Sequence, residues 1–514
     1  MLLRPRAGIA PLPADNGRVA EPRDERPPAS RVARNTAVRA SAEIVGKLAS
    51  VVLFAYIARE LGAGILGEFV FALALAQIVW AVAGFGLDRM ALRDIARERE
   101  PAIDRLFYDI TAFKLVAGAV GVAISTAAVA AFGYSGQEQA LVAILGISMV
   151  IVLASASALT VFQAYERMEY FFYAAVPNKI LAALLGIGVL VLGGGIVAVA
   201  LTNLFTAVVG LALAMAIMYR RFARPTPQVR LRRWPELART SGPFGLQEVF
   251  GQIIFRLDIV LLSVITTNAV VGQYGAGYRL IEATLFLAWS VGTSVLPMYS
   301  YLGPEDELSI DRLFEGSLKF VTVIMVPVAV VLLVCASPII DLIYGLPEYA
   351  EAVPVLRWLA FSALAYALGH LAGILVLVRR PGRVTVISVG AVAGACLAIN
   401  LALIPAYEAQ GAAAATLATQ VLLAVVSLAL ARPVAGFPGP WRVLGSPGLA
   451  GAAMAGAMLL FSDDLLIALP VGTVTYGLVL VAVEARSLSG DLAAVRSVLS
   501  RRSASVSEHE RVIP

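Results

Sequence analysis

Fourteen apolar stretches of roughly 20 residues, the length a helix needs to cross a hydrocarbon layer, divide this chain and restrict it to very few folds. They centre on 37–60, 65–86, 108–132, 138–163, 171–193, 196–219, 243–266, 270–298, 317–343, 352–378, 383–405, 409–431, 442–461 and 464–484. Hydrophobic residues make up 59% of the 514 and charged ones 15%, with mean hydropathy +0.83. That much apolar surface exceeds what a soluble core can hide, so it faces lipid. Because lipid offers the backbone no hydrogen bonds, each segment must satisfy its own, which makes it helical. The expected fold is an all-α integral membrane protein with about 14 transmembrane helices.

The first twelve stretches read as two copies of six. Glu43 and Gly46 return as Glu248 and Gly251, Gly67 and Phe69 as Gly272 and Tyr274, and Lys114 as Lys319, each pair 205 residues apart. Asp104-Arg105-Leu106-Phe107 likewise returns as Asp311-Arg312-Leu313-Phe314. Duplication of a helical membrane unit marks transporters, because two similar bundles can rock about a site held between them. Two pseudo-symmetric six-helix bundles with two added C-terminal helices are expected. The division is a tail at 1–33 without apolar periodicity, a first bundle at 34–221, a linker at 222–241, a second bundle at 242–432, two further helices at 433–485 and a tail at 486–514.

Arginines cluster in alternate connections. Arg89, Arg93, Arg97, Arg99 and Arg105 follow the second span, Arg220, Arg221, Arg224, Arg230, Arg232, Arg233 and Arg239 the sixth, and Arg379, Arg380 and Arg383 the tenth. The intervening connections carry almost no Lys or Arg. The bias places both termini, the linker and the tails on the cytoplasmic side of the inner membrane. Segments 88–105 and 303–315 read as amphipathic helices on that surface, with Met90, Leu92, Ile95 and Ala96 dipping into the interface, the alternative being a solvated loop. The net charge of +5 follows this topology and is not a nucleic-acid footprint.

Several chemistries find no support. The two cysteines, Cys335 and Cys396, sit inside apolar runs, and the two histidines, His370 and His509, are too few for a metal or catalytic centre. There is no Walker A pattern, and no large extramembrane loop carries the carboxylates a membrane glycosyltransferase would need. No enzyme activity, cofactor or metal is expected.

Charge inside the spans carries the functional signal, since an ionisable group near mid-bilayer costs at least about 2.5 kcal/mol and needs a partner, water or a role. Arg39, Glu43 and Lys47 are spaced at i, i+4 and i+8, on one helix face, and Glu248, Gln252 and Arg256 repeat the device. Arg279 and Glu282, three apart, share another face. Pseudo-symmetry would turn these stripes toward each other across a central cleft. Lys47, Arg256 and Arg279, with Glu43 and Glu282 as local partners, suit a phosphorylated headgroup, because guanidinium forks match phosphate oxygens. The competing reading is that these are self-neutralising pairs holding helices together. Asp258 lies on a different face from Arg256 and is either an ion-coupling carboxylate or a packing partner. Lys114 and Lys319 are expected to snorkel to headgroups.

The segment from Arg34 to Glu100 resembles the oligosaccharide flippases, the Wzx-type polysaccharide biosynthesis proteins. It carries Ala58-Arg59-Glu60-Leu61-Gly62, then Gly67-Glu68-Phe69, then Gly86-Leu87 before a basic run. The second half answers with Asp258, Val271-Gly272-Gln273-Tyr274 and Tyr278-Arg279-Leu280. The resemblance implies the multidrug/oligosaccharidyl-lipid/polysaccharide exporter fold and an alternating-access flippase for a polyprenyl-pyrophosphate-linked oligosaccharide used in surface polysaccharide assembly. It also implies membrane lipids, a coupling ion (Na+ or H+) and a polysaccharide polymerase or assembly protein as partners. Two alternatives stay open: a multidrug and toxin extrusion antiporter, and a lipid II flippase. The peptidoglycan lipid flippases usually have an arginine where this chain has Leu53.

Overall fold

The computed structural model describes the backbone of residues 28–301, 307–379, 382–436, 439–461 and 464–485, and side chains within these from Ile44 onward except those of 301, 307 and 308. Among them there is helix and no strand. The first half comprises α1 (Pro28–Gly84), α2 (Leu87–Glu98), α3 (Glu100–Ala131), α4 (Gly136–Ala164), α5 (Met168–Val191) and α6 (Ile196–Arg221). A single 3-10 turn, Leu231–Arg233, leads into α7 (Trp234–Ile265), α8 (Asn268–Tyr301), α9 (Glu307–Val334), α10 (Ala336–Ile343), α11 (Ala352–Arg379) and α12 (Arg383–Ala435). The last pair is α13 (Pro440–Leu459) and α14 (Leu465–Glu484).

Two of these helices are folded hairpins of two legs. α1 breaks at Gly62 (φ 80°) and α12 at Glu408 (φ 47°). With α2 and α10 too short to span, ten of the described helices are long and apolar enough to cross a membrane; α1 and α12 among them have two legs each, and α7 and α13 bring the legs to fourteen. The lipid-facing character is direct: Leu466 is 86% exposed and Leu478 68% on α14, and surface leucines and valines of α3 and α12 behave alike. In water such a surface would aggregate; in hydrocarbon it costs nothing.

α1 packs on α3, α4 and α5 within its own half, and α7 and α11 on α12 in the other, while α1 also crosses α8 and α7 between halves. At one end Gly67 meets Gly272: a Cβ on Gly67 would stand 1.8 Å from the Asn268 carbonyl oxygen, and one on Gly272 1.9 Å from that of Ala63. No side chain fits there, so the repeated glycine marks where the two bundles touch backbone to backbone. The opposite end carries α2, the 222–233 connection and Arg89, Arg93, Arg220, Arg221, Arg224 and Arg230, and is called the basic end below. Here the α1–α2 turn lies against α7, with Gly86 and Gly245 in close backbone contact.

Two expectations about this end are corrected. Met90 and Ile95 of α2 are 2% exposed and pack with Ile103, Leu106, Phe162 and Leu237, so the apolar face of α2 is buried in protein and not in the lipid interface. In the matching place, 303–306 lie outside the described residues, and 307–315 form the opening turns of α9 in place of a separate surface helix.

The symmetry-related lysines do not snorkel either. Lys114 is completely buried, bonded to Asp88 of α2 and, at 3.1 Å, to Ser157 of α4. Lys319 pairs at 2.7 Å with Glu484 of α14, which also takes a hydrogen bond from Ser446 of α13. A partner within reach outcompetes the headgroup, because pairing inside the bundle removes the cost of holding the charge in hydrocarbon. In the second half this pair fastens the two added helices to α9.

Candidate functional site

One carboxylate gathers three cations in the cleft between the halves. Glu282 on α8 accepts from Lys47 Nζ of α1 at 3.2 Å and Arg256 Nη2 of α7 at 2.9 Å through Oε1, and from Arg279 Nη1 at 2.8 Å through Oε2. Helical spacing explains the convergence. Arg279 and Glu282 sit three apart on α8, so they share a face, and α7 runs antiparallel beside it with Arg256 at the same level. Lys47 comes from the other half. The expected meeting of Lys47, Arg256, Arg279 and Glu282 is therefore what the structure shows, and Glu282 is the hub.

The guanidinium planes are held by rings. Arg279 lies 4.1 Å from the centroid of Phe54 on α1, and Arg256 5.3 Å from that of Tyr278 on α8. These contacts fix the forks while leaving donors unused: Arg256 Nε and Arg279 Nε are buried without a hydrogen-bond partner. Buried donors without acceptors are costly, so an acceptor placed beside either Nε would be favoured. Three cations against one carboxylate leave the cluster at about +2, far from neutral for a site inside a membrane.

The cleft offers about 310 Å³, part of it open to the outside, lined by Phe54, Val70, Leu73, Gln77, Ile259 and Tyr278 besides Arg256, Arg279 and Glu282. Arg279 lies seven residues beyond Gly272 and Arg256 eleven beyond Gly245, about 10 Å and 16 Å at 1.5 Å per residue. The charged hub thus sits between the two closures. Phe54 and Gln77 are not singled out by the sequence, and Tyr278 enters there only within the Tyr278-Arg279-Leu280 motif. Their signal is weak, since an aromatic or amide in a span is ordinarily packing.

The other expected site residues fall elsewhere. The side chain of Glu43 lies outside the described residues. Glu248 does not reach the hub; it stands within electrostatic reach of Asp88, Arg89 and Lys114 toward the basic end. Among the described residues the two stripes meet through Lys47 and Arg256, both bonded to Glu282. Asp258 is 2% exposed inside the second bundle, where it accepts from Tyr274 and, at 3.1 Å, from Thr416 of α12, and caps the N–H of Ile259 at 2.8 Å. It is separate from the cleft lining. Among the described residues no cluster of three or more His, Cys, Asp or Glu could hold a metal ion.

A paired arrangement that sequence reasoning missed closes the end opposite the basic one. Tyr134 Oη stands 2.8 Å from Ser263 Oγ, and Asn268 Nδ2 donates to Glu138 at 2.9 Å. On the other side of the Gly67–Gly272 crossing, Tyr349 donates to the Ala58 carbonyl at 3.2 Å, and the Ala63 N–H to Glu348 at 2.8 Å. Ala58 and Ser263, and Ala63 and Asn268, are each 205 apart. Each half thus offers a tyrosine and a glutamate to equivalent positions of the other. Arg59 adds donors to the carbonyls of Leu342 and Ile343 at the end of α10, at 2.5 and 3.0 Å, where the helix dipole favours a cation.

Two similar membrane bundles about a charged cleft are the architecture of a membrane transporter. The solved structure of the lipid II flippase MurJ in an inward closed conformation superposes with TM-score 0.74 over 88% of this chain and 99% of that one, at 16% identity. An inward-facing multidrug resistance MATE family transporter gives 0.61 over 77% and 97%, at 15% identity. At these identities the likeness is one of fold. The chain belongs to the polysaccharide biosynthesis protein family, whose sequence profile matches residues 32–302. It is also 22% identical over 371 residues to the probable low-salt glycan biosynthesis flippase Agl15 of Haloferax volcanii, covering 70% of this chain and 75% of that one.

Proposed function

We propose that this protein is an alternating-access flippase that carries a polyprenyl-pyrophosphate-linked oligosaccharide across the cytoplasmic membrane, making and breaking no bond. The observation that carries the reading is the hub: two ring-held guanidiniums with idle Nε donors and one lysine, together about two charges in excess of Glu282. A diphosphate diester brings two negative charges and oxygens in the geometry that guanidinium forks accept. Arg256 and Arg279 would grip the diphosphate from α7 and α8, Lys47 would reach it from α1, and Gln77 and Tyr278 would meet sugar hydroxyls. The polyprenol would stay in lipid beside the bundles. A cleft of 310 Å³ is too tight for an oligosaccharide, so the halves must part for loading.

Both termini would be cytoplasmic, following the arginine bias, and the basic end would open inward. Asp258 is proposed as the coupling carboxylate, where Na+ or H+ would compete for the oxygens now bonded by Tyr274 and Thr416. The positive cleft disfavours cationic drugs, the substrates of an extrusion antiporter. The test is flipping of prenyl-diphosphate oligosaccharide in proteoliposomes. Arg256→Ala is expected to slow it roughly 10- to 100-fold, the effect of losing about 1.5–3 kcal/mol of charged hydrogen bonding, with insertion unchanged. Transport of cationic dyes with no flipping would favour the antiporter.

A further inference from the structure

Resting on that reading of the cleft, we infer that Glu282 is an internal stand-in for the substrate's diphosphate: it occupies the three cations in the empty protein, and its displacement releases the ionic link between the halves. Two features of the hub support this. Glu282 engages all three cations, Lys47 of the first half and Arg256 of the second through Oε1 and Arg279 of the second through Oε2, so the carboxylate makes the contacts an anionic ligand would make. Lys47–Glu282 is, moreover, an ion pair joining α1 to α8 through the cleft itself.

A carboxylate here solves a problem of the unloaded state. Lys47, Arg256 and Arg279 converge in a water-poor site, and without an anion their mutual repulsion would push the helices apart. Glu282 removes that repulsion but also lowers the fraction of protein whose cations are free, and apparent affinity falls in proportion to that fraction. An arriving diphosphate supplies the two charges still lacking and competes for the same donors. As Lys47 transfers from Glu282 to a phosphate oxygen, the direct ion pair between α1 and α8 is lost. Loading and the loss of that ion pair become one event. The side chain can move in this way because it is 17% exposed at the cleft wall, and Lys47, at 27%, is the most accessible of the three cations.

The sign of the effect separates this role from a structural one. In the purified full-length protein, titrated calorimetrically with inorganic pyrophosphate and separately with farnesyl diphosphate, E282Q is expected to bind both roughly tenfold tighter than wild type, since the isosteric amide no longer competes as an anion. It is also expected to flip substrate more slowly, because release is impeded. Tighter binding to farnesyl diphosphate alone would still support the displacement and assign part of the recognition to the lipid. Equal or weaker binding by E282Q would overturn it and leave Glu282 as a support for the arginines. Should E282Q not fold, Glu282→Asp, which keeps the charge but shortens the reach, must bind pyrophosphate a few-fold tighter, and unchanged affinity would overturn the inference equally. Failure of the parent reading looks different: neither probe then binds wild type, or Arg256→Ala binds them as well as wild type does.

Discussion

At the end carrying the α1 break and the α7–α8 turn, each half reaches across to the other with a tyrosine and a glutamate, whereas at the basic end the halves meet through the bare backbones of Gly86 and Gly245. Among the described residues no hydrogen bond or ion pair joins α2 to α7. The polar ties of the basic end run instead from the linker to α3, with Thr226 on Asp104 at 2.6 Å and the Arg230 N–H on Asp109 at 2.6 Å. These secure the entry to α7 without fastening the cleft. Directional bonds must break together for a clasp to open, while a van der Waals contact yields gradually. The difference predicts which closure sets the resting state: the clasped end should stay shut while the basic end parts first.

The strongest way to break this comparison is Gly67→Val. Its side chain would collide with the Asn268 carbonyl, and overpacking of this kind costs about 1–3 kcal/mol or more, borne here by the clasp. A single reporter cysteine at Gln77 in the cleft lining should then become labelled by an impermeant thiol reagent added from the clasped side, with Cys335 and Cys396 silent because both are buried. Gly245→Val, whose side chain would meet the Phe85 carbonyl, should instead raise labelling from the basic side and lower the melting temperature less. If both variants expose Gln77→Cys to the same side, the two closures are not independent.

Smaller changes sharpen the contrast. Glu138→Ala and Glu348→Ala each remove one arm of the clasp, and each should cost about 1 kcal/mol, the net worth of a typical hydrogen bond. Because the two arms share no partner, the double variant should show the sum. Labelling of the Gln77 reporter from the clasped side should rise accordingly. Arg59→Ala is expected to have the smallest effect, at most about 1 kcal/mol, since an exposed cation at a helix end is partly served by water. A melting shift larger than that of the double glutamate variant would make the α10 cap the principal fastening.

Much of this plan is legible in the sequence because helices keep their length while loops do not. The 205-residue offset holds along the crossing legs, so it identifies Gly67 with Gly272 and brings Lys47 and Arg256 into view as charges that lipid will not accept. It holds also for the receiving positions of the clasp, Ala58 with Ser263 and Ala63 with Asn268. It fails for the arms: Glu138 and Glu348 are 210 apart and Tyr134 and Tyr349 are 215, since the connection into α11 is longer and contains α10. Lys114 was misjudged for a related reason. Its partner Asp88 lies in a separate surface helix, and nothing in the local spacing announces that α2 folds back over α3. Glu248 carries the same stripe signal as Lys47, yet its place about two turns from Arg256, nearer the basic end, removes it from the hub.

Paired spin-label distances across both ends of one protein test the account most directly. Labels at Arg93 and Leu246 would report the basic end, and labels at Phe132 and Thr267 the clasped end, all exposed positions. On adding prenyl-diphosphate oligosaccharide, the account predicts that the two distances change in opposite senses, one pair parting as the other stays closed or tightens, and that Arg256→Ala abolishes the response. Distances that rise and fall together, or that ignore the ligand in the wild type, would contradict a cleft that opens at one end at a time around its charged hub.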